Sequence, residues 1–292
     1  MVTAAQRRQA VRDLVARFDV SERRACRVVG QPRATQRQHP EPREEEGRLV
    51  RRMLALVRRH PRFGYRRIWA LLRREGWEVN RKRVHRLWRQ QGLRVPRKQR
   101  KKRRLGTGAN SCVRRRPEHQ GHVWAWDFVF DRTASGGSLK WLTVVDEYTR
   151  ECLALEVARG MTAQAVIAVL ARLVAEHGPP VHIRSDNGSE FIARAIRAWL
   201  AKEGVETLYI DPASPWENGY AESFNGKVRD ELLAREEFAS VLEAKVLGRQ
   251  WQHEYNHARP HSALGYKTPA EFAKECARPD RNGRKGGSIS DG

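Results

Sequence analysis

Cysteine and long apolar runs are both scarce in this chain of 292 residues. The four cysteines (Cys26, Cys112, Cys152 and Cys276) lie far apart and form no Cys-x-x-Cys pair. This spacing excludes a disulfide framework and a zinc knuckle. No apolar run approaches the roughly 20 residues of a membrane-spanning helix, and the N-terminus has no apolar segment typical of a secretory signal. We therefore expect a soluble, cytoplasmic protein.

Acidic residues are also scarce in the first part of the chain, although the formal net charge of the whole is +23. Residues 1–120 contain 36 lysines and arginines against 10 aspartates and glutamates, whereas the remainder contains 21 against 24. A strongly basic segment is typical of proteins that bind a polyanion, because each neutralised phosphate releases counterions. The alternative is a solvated basic surface. It fits less well, because the arginines alternate with apolar residues at helical spacing.

The basic N-terminal part has the periodicity of short helices. Residues 1–46 predict a partial helix-turn-helix, with two helices within 4–29, followed by a polar linker with three prolines. Residues 47–95 predict three further helices with a glycine turn between the last two, which indicates a helix-turn-helix module that binds DNA. The last helix would present its cations to DNA: Arg81, Lys82, Arg83, Arg86 and Arg89. A charged amphipathic bundle without DNA contacts is the alternative.

Residues 96–120 predict a basic linker between two modules. Positions 97–104 contain seven cations in eight residues, a density that binds phosphates without sequence preference. This block is either a plain tether or a contact with a DNA groove. Residues 276–292 are rich in glycine, serine and arginine and predict a disordered tail.

Residues 121–275 alternate between strand and helix patterns. Three β-like runs (123–130, 139–145 and 152–157) come first and are followed by an amphipathic helix at 162–177. The order then continues with a strand (181–185), a helix (189–203), a strand (206–210) and two helices (217–233 and 241–255). This arrangement predicts an α/β fold of the ribonuclease-H-like type, a mixed sheet with helices on both faces, preceded by the all-α helix-turn-helix region.

Three carboxylates occur where such a fold would bring them together. Asp127 interrupts an apolar strand, where a carboxylate is costly to bury unless it is paired or metal-bound. Asp186 ends another strand, and Glu222 lies in a helical segment, with 58 and 35 residues between successive carboxylates. Hard divalent cations prefer oxygen ligands, and two of them roughly 4 Å apart contact both the attacking and the leaving oxygen in phosphoryl transfer. The pattern predicts a catalytic Mg²⁺ site, with Mn²⁺ as a substitute ion.

The residues that follow Glu222 on the same predicted helix are candidates for DNA contacts. Asn225 and Arg229 come three and seven positions later, so a helix places them on the same face as Glu222, and Lys227 lies between them. Arg229 either contacts a phosphate beside the metals or is an ordinary surface cation.

Two further segments have open interpretations. Trp216 and Asn218 precede the helix of Glu222 and either line a DNA channel or cap and pack that helix. Arg259, His261 and Tyr266 predict a turn that folds the C-terminus back onto the core, and a direct part in the chemistry is the alternative.

The chain resembles the DDE transposases of IS3-type bacterial insertion sequences, specifically the product of their second reading frame. The matching motifs are Trp126-Asp127-Phe128, Ser185-Asp-Asn-Gly-Ser-Glu-Phe191, Ser214-Pro-Trp-Glu-Asn-Gly-Tyr-Ala-Glu222, Tyr255-Asn-His-Ala-Arg-Pro-His261 and His60-Pro-Arg-Phe-Gly-Tyr65. The resemblance covers about residues 1–275, and the 35-residue interval equals the D-D-35-E spacing of that family. It implies that Asp127, Asp186 and Glu222 are the metal triad. Retroviral integrases share this core, but the paired His and Cys of their zinc-binding domain are missing here.

The resemblance also implies an activity and partners. The protein would nick the ends of its mobile element and join the freed 3′-hydroxyls to DNA. Its partners would be double-stranded DNA of the terminal repeats and target, an upstream-frame protein joined to it by ribosomal frameshifting, and further copies of itself, at the bacterial nucleoid. The alternatives are a related nuclease, or a domesticated non-catalytic DNA-binding protein derived from a transposase. The second fits less well because all three carboxylates are present.

Overall fold

The computed structural model describes residues 4–37, 44–95, 116–185, 190–209 and 219–277. Asp186, Trp216 and Asn218 therefore lie outside the described residues, as do most of the predicted basic linker and tail. The chain divides into two compact units, Met1–Arg58 and Arg59–Gly292. Across the described ranges, no helix has the length and apolar character needed to cross a membrane.

The first unit consists of short helices: α1 (Ala4–Phe18), α2 (Glu22–Val29), α3 (Arg33–Arg37) and most of α4 (Glu44–Arg59). Ser21 caps α2 by accepting a hydrogen bond from the backbone N–H of Arg24, and Val11 of α1 packs against Ala25 and Cys26 of α2. The two helices predicted within 4–29 are confirmed. The expected linker at 30–46 is shorter than predicted, because it contains α3 and because α4 already begins at Glu44. Three consecutive glutamates stabilise that helix N-terminus.

The second unit begins with two helices, α5 (Tyr65–Arg74) and α6 (Arg81–Gln90). The Asn80 side chain caps α6 by accepting a 2.7 Å hydrogen bond from the backbone N–H of Arg83. The buried face of α6 consists of Val84, Leu87 and Trp88. Its basic residues lie on the other faces, as the periodicity predicts.

A five-stranded mixed sheet forms the centre of the second unit. Its strands are β1 (Val123–Arg132), β2 (Ser138–Asp146), β3 (Cys152–Ala158), β4 (His182–Ser185) and β5 (Glu206–Tyr209). The strand order is β3-β2-β1-β4-β5; β1, β2 and β3 pair antiparallel, whereas β4 pairs parallel with both β1 and β5. The predicted ribonuclease-H-like fold is confirmed.

Helices cover both faces of the sheet: α7 (Ala163–His177) and α8 (Glu190–Lys202) on one face, α9 (Gly219–Val228) and α10 (Val241–His257) on the other. Alternate residues of β1 point to opposite faces. Trp124 and Trp126 pack in the α7–α8 core, whereas Ala125 and Val129 pack in the α9–α10 core. Asp127 has the same parity as Ala125 and Val129, so its carboxylate lies on the α9–α10 face.

Helix α10 fits closely against the edge of this sheet. A Cβ atom on Gly248 would lie 2.7 Å from the Trp141 ring, so only glycine allows this approach. Asn256 accepts a hydrogen bond from the backbone N–H of Cys152 and donates one to its carbonyl, each 2.9 Å long. The Asn256 side chain thereby occupies the position of a neighbouring strand and covers part of the β3 edge.

The C-terminal part contains elements that periodicity did not predict. The helix expected at 217–233 is α9 followed by a π-helical turn, Arg229–Leu233. A 3₁₀ turn (Ser262–Leu264) and helix α11 (Pro269–Cys276) follow α10. The backbone N–H of Tyr266 donates a 2.8 Å hydrogen bond to the carbonyl of His261. This closes the turn that was expected at 259–266.

Candidate active site

The Asp127 carboxylate is half-buried in the middle of β1, where two N–H groups hold it. Its Oδ1 accepts a 2.7 Å hydrogen bond from the backbone N–H of Phe128. Its Oδ2 accepts a 2.6 Å hydrogen bond from the side-chain amide of Asn225 on α9. These two bonds fix the orientation of the carboxylate and favour its charged form.

Asn225 and Thr143 link the strand of Asp127 to the helix of Glu222. Thr143 lies opposite Asp127 in the β1–β2 ladder, and its hydroxyl lies 3.0 Å from both the Asp127 carbonyl and Asn225 Oδ1. Asn225 is only 1% exposed. This burial does not fit the predicted DNA contact of Asn225. Asp127 lies on the sheet face that α9 covers, so α9 needs a polar side chain on its buried side to bond to that carboxylate. Asn225 is that side chain.

Glu222 lies in the first turn of α9 and is exposed. Three residues of helix, a rise of about 4.5 Å, separate it from Asn225. The Asn225–Asp127 bond therefore brings the turn that carries Glu222 next to β1. Strand β4 also lies next to β1, with Arg184 opposite Ala125, and it ends at Ser185, the residue before Asp186. Across the described ranges, which omit Asp186, no three His, Cys, Asp or Glu side chains are grouped as metal ligands.

The two predicted cations after Glu222 differ in exposure and surroundings. The Lys227 ammonium donates hydrogen bonds to the Ser223 carbonyl (2.8 Å) and hydroxyl (3.0 Å), and Lys227 is half-buried. Arg229 begins the π-helical turn and is exposed. Lys227 thus lies on a different side of α9 from Glu222 and Asn225.

The cations predicted to face DNA on α6 are mostly accessible. Arg81, Lys82, Arg86 and Arg89 are exposed, and Arg83 is half-buried. Since Val84, Leu87 and Trp88 form the buried side of the helix, the exposed cations have space to contact a nucleic acid backbone.

A buried ion pair near α9 has no counterpart in the sequence predictions, which gave residues 259–266 as a turn. The Arg259 guanidinium donates two hydrogen bonds, 2.7 and 2.6 Å long, to the Glu231 carboxylate of the π-helical turn, and Arg67 of α5 lies 3.7 Å from the same carboxylate. The pKa of Arg259 is raised despite its burial, because Glu231 stabilises its charged form. This pair attaches the segment after α10 to the end of the helix that carries Glu222.

His261 lies beside this pair and is neutral. Arg259 has only donors, so its 3.2 Å contact with His261 Nε2 requires an unprotonated nitrogen there. Burial, followed by the charge of Arg259, lowers the pKa of His261 to about 2. The three-residue pattern Arg259-Pro-His261 is the only sequence signal of this arrangement.

Known protein families match both parts of the chain. Two Integrase core domain families match residues 117–215 and 203–269, and an HTH-like domain family matches residues 43–102. An uncharacterized 31.7 kDa protein of insertion element IS407 from Burkholderia multivorans is 39% identical over 264 residues, which cover 90% of this chain and 93% of that protein. The chain belongs to the insertion-element transposase family. Its resemblance to IS3-type transposases is thereby confirmed.

Other members of the family and two solved structures are also similar. The 39.2 kDa protein of insertion element IS476 from Xanthomonas euvesicatoria is 39% identical over 92% of this chain and 77% of that protein. Transposase InsD of insertion element IS2 from Escherichia coli is 32% identical over 74% of this chain and 75% of that transposase. A simian T-cell lymphotropic virus intasome chain (17% identity, 60% of this chain and 61% of that chain) has a TM-score of 0.48. The HTLV-2 integrase catalytic core (16% identity, 53% and 97%) has a TM-score of 0.42.

Family membership gives the coarse function. A chain with an integrase core is an enzyme of the polynucleotidyl transferase type, and its HTH-like and integrase domains both imply DNA binding.

Proposed function

We propose that this protein is an active, Mg²⁺-dependent transposase that cuts DNA at the ends of its element and joins the freed 3′-hydroxyls to target DNA. Asp127, Asp186 and Glu222 are the proposed metal ligands and catalytic residues. The observation that carries the proposal is the 2.6 Å hydrogen bond from Asn225 to Asp127. It fixes the helix of Glu222 against the strand of Asp127, which is the arrangement a shared metal site requires.

The donor groups suit Mg²⁺, a hard cation that prefers carboxylate oxygen and retains several waters. Asp127 and Glu222 both supply carboxylate oxygens; Asp127 is half-buried and Glu222 is exposed. Asp186 completes the proposed set because β4, which ends one residue before it, pairs with β1.

The chemistry divides between the ions and the protein. When bound, two Mg²⁺ ions supply Lewis-acid stabilisation and lower the pKa of a coordinated water or hydroxyl. Asn225 orients the Asp127 carboxylate through one oxygen, and Thr143 holds the Asn225 amide in position.

The basic residues of α6 are the proposed contacts with DNA outside the catalytic site. Arg81, Lys82, Arg86 and Arg89 are exposed on one helix, and α6 would lie against the duplex as the last helix of a helix-turn-helix does. Arg83, Arg229 and Lys227 are further proposed phosphate contacts. We also propose that an upstream-frame protein and self-association complete the active assembly, as in the IS3-type proteins that this chain resembles.

A strand-joining assay tests the proposal. Labelled element ends and a target plasmid are incubated with the purified protein in Mg²⁺, Mn²⁺ or EDTA, with and without the upstream-frame protein. We expect joined products in Mg²⁺ and Mn²⁺ and none in EDTA. DNA retention without joining in every condition would contradict the proposal and favour the domesticated, non-catalytic DNA-binding protein.

A further inference from the structure

A pocket of about 280 Å³ lies beside α9, on a flank that the proposed catalytic residues do not use. Tyr220, Ser223 and Lys227 line it from α9. Their spacing of three and four residues places them on one helix face, whereas Glu222 and Asn225 lie on another. The pocket is thus a second site on the helix of Glu222.

Cationic side chains from four separate elements converge on this pocket. Arg67 comes from α5, Arg150 from the turn between β2 and β3, Lys227 from α9 and Arg259 from the segment after α10. The described acidic lining residues are Asp146 and Glu147.

Both acidic groups already have partners. The buried Arg184 lies 3.1 Å from Glu147, and the Asp146 carboxylate accepts hydrogen bonds of 2.7 to 2.8 Å from three backbone N–H groups. Positive charge therefore exceeds negative charge among the described residues that line the pocket.

Arg150 is held rigidly at the wall of the pocket. Its backbone has a φ of 65°, a conformation that non-glycine residues rarely adopt, and its N–H donates a 2.9 Å hydrogen bond to the Asp146 carbonyl. Its guanidinium stacks 3.7 Å from the centre of the Tyr220 ring. A fixed guanidinium loses little entropy when it binds an oxyanion.

The floor and the mouth of the pocket differ in character. Arg259 and His261 at the floor are buried, whereas Ser223 and Ser262 at the mouth are exposed hydroxyls. Besides burial, the charges of Arg259, Lys227, Arg67 and Arg150 all lower the pKa of His261, so all four cations lie close to its imidazole. Glu231 pairs with Arg259 and Arg67, so Arg150 and Lys227 are the cations that an anion in the pocket would contact.

We propose that this pocket binds a single backbone phosphate of duplex DNA. The volume holds a phosphate with a few waters, since a water occupies about 30 Å³ of liquid, and it is too small for a base pair. Arg150 and Lys227 contact the phosphate oxygens, and the serine hydroxyls at the mouth donate to them. This inference rests on the proposed function. It assumes that the DNA strand passes the Glu222 side of α9 and also contacts the side that carries Tyr220, Ser223 and Lys227.

Salt-dependent binding of a short duplex, in EDTA so that no chemistry occurs, tests the proposal. Each lost phosphate contact should lower the slope of log affinity against log salt by about 0.9. Because both cations contact the same phosphate, we expect Lys227→Gln and Arg150→Gln each to lower the slope by up to about 0.9. Lys227→Arg, which keeps the charge, should retain the wild-type slope. Lys245→Gln is the matched control, because it removes an exposed cation from α10.

The outcomes separate the pocket from the enzyme proposal. The phosphate-binding proposal is overturned if Lys227→Gln and Arg150→Gln have the same slope as Lys245→Gln. This comparison uses variants whose thermal unfolding matches that of wild type. If these variants lose only the binding of inorganic phosphate, measured by calorimetry, the pocket is a small-anion site and the DNA assignment is overturned. Failure of wild-type strand joining would contradict the enzyme proposal alone, because the slopes are measured without catalysis.

Discussion

The side-chain amide of Asn225 on α9 donates a 2.6 Å hydrogen bond to the carboxylate of Asp127 on β1. The Thr143 hydroxyl on β2 lies within hydrogen-bond distance of both residues. Because Asn225 follows Glu222 by less than one helical turn, the same bond sets the position of Glu222 relative to Asp127. The hydrogen bonds among Asn225, Asp127 and Thr143 therefore determine the geometry of the proposed metal site.

Replacement of Asn225 by leucine, which has a similar volume, should impair joining more than DNA binding. The variant leaves the half-buried Asp127 Oδ2 and the buried Thr143 hydroxyl without the amide as a hydrogen-bond partner, which costs about 1–3 kcal/mol of unfolding free energy. We expect a lower joining rate per folded molecule and an unchanged affinity for DNA.

Asn256→Leu is the matched control for this experiment. Asn256 is also buried and bonds to the backbone of Cys152, and its hydrogen bonds do not involve Asp127 or Glu222. We expect a comparable loss of stability with a normal joining rate per folded molecule. Equal joining rates in the two leucine variants would argue against a positioning role for Asn225.

Removal of two exposed cations from α6 should weaken DNA binding in a salt-dependent way. In the double variant Arg86→Gln/Arg89→Gln, the slope of log affinity against log salt should fall by about 2, because each phosphate contact contributes about 0.9. The control Lys245→Gln/Arg249→Gln makes the same charge change on exposed residues of α10. If both double variants have the same slope, α6 is not the DNA-binding helix.

Loss of the Glu231 charge should destabilise the second unit strongly. Arg259 is 4% exposed, so Glu231→Gln leaves a buried guanidinium without its counterion, at a cost of about 3–5 kcal/mol. Glu156→Gln, which breaks the exposed pair with Arg172, should cost less than about 1 kcal/mol. Chemical denaturation measures the unfolding free energy of both variants. Similar decreases in the two variants would show that the buried Arg259–Glu231 pair contributes no more to stability than the exposed pair.

His261 should make stability fall in mild acid. The imidazole of the folded protein stays neutral because its pKa is about 2, whereas the ordinary value is 6.5. Below pH 6.5 the unfolded chain therefore binds a proton that the folded chain does not. The unfolding free energy should therefore decrease as the pH is lowered below 6.5, with a slope that approaches about 1.4 kcal/mol per pH unit.

Comparison of wild type with His261→Gln between pH 7 and pH 5 isolates this contribution. Burial also lowers the pKa values of His60 and His257, but these residues titrate in both proteins and cancel in the difference. The variant should lose less stability in acid than wild type. Parallel pH profiles would show that His261 is protonated in the folded protein.

Local sequence patterns predict the strands and the long helices, but they do not always predict the residues at which these elements end. The apolar run of β1 predicted a strand at 123–130, and the strand extends to Arg132 because Asp131 and Arg132 pair with Leu139 and Ser138 of β2. Such pairing is a long-range contact that periodicity does not report. Helix α11 had a local signal, a capping box between Thr268 and Glu271, which the strand and helix patterns alone did not reveal.

The candidate site was predictable in its residue types and only partly in its geometry. Helical spacing placed Glu222 and Asn225 on one face, yet burial of Asn225 depends on its contacts with Thr143 and Asp127, 82 and 98 positions away in the chain. Glu231 and Arg259 are separated by 28 positions, and no local rule pairs them. Tertiary packing therefore decides which of these polar residues are buried in the site and which are exposed to solvent.

The most direct test of the metal-site account is the joining rate of Asp127→Asn and Glu222→Gln at equal DNA retention. Each change removes one carboxylate charge while it keeps the side-chain shape, and Glu203→Gln makes the same change at an exposed residue after α8. We predict that joining in Mg²⁺ falls roughly 10²-fold or more in the first two variants and stays at the wild-type rate in Glu203→Gln. A wild-type joining rate for Glu222→Gln would contradict the account.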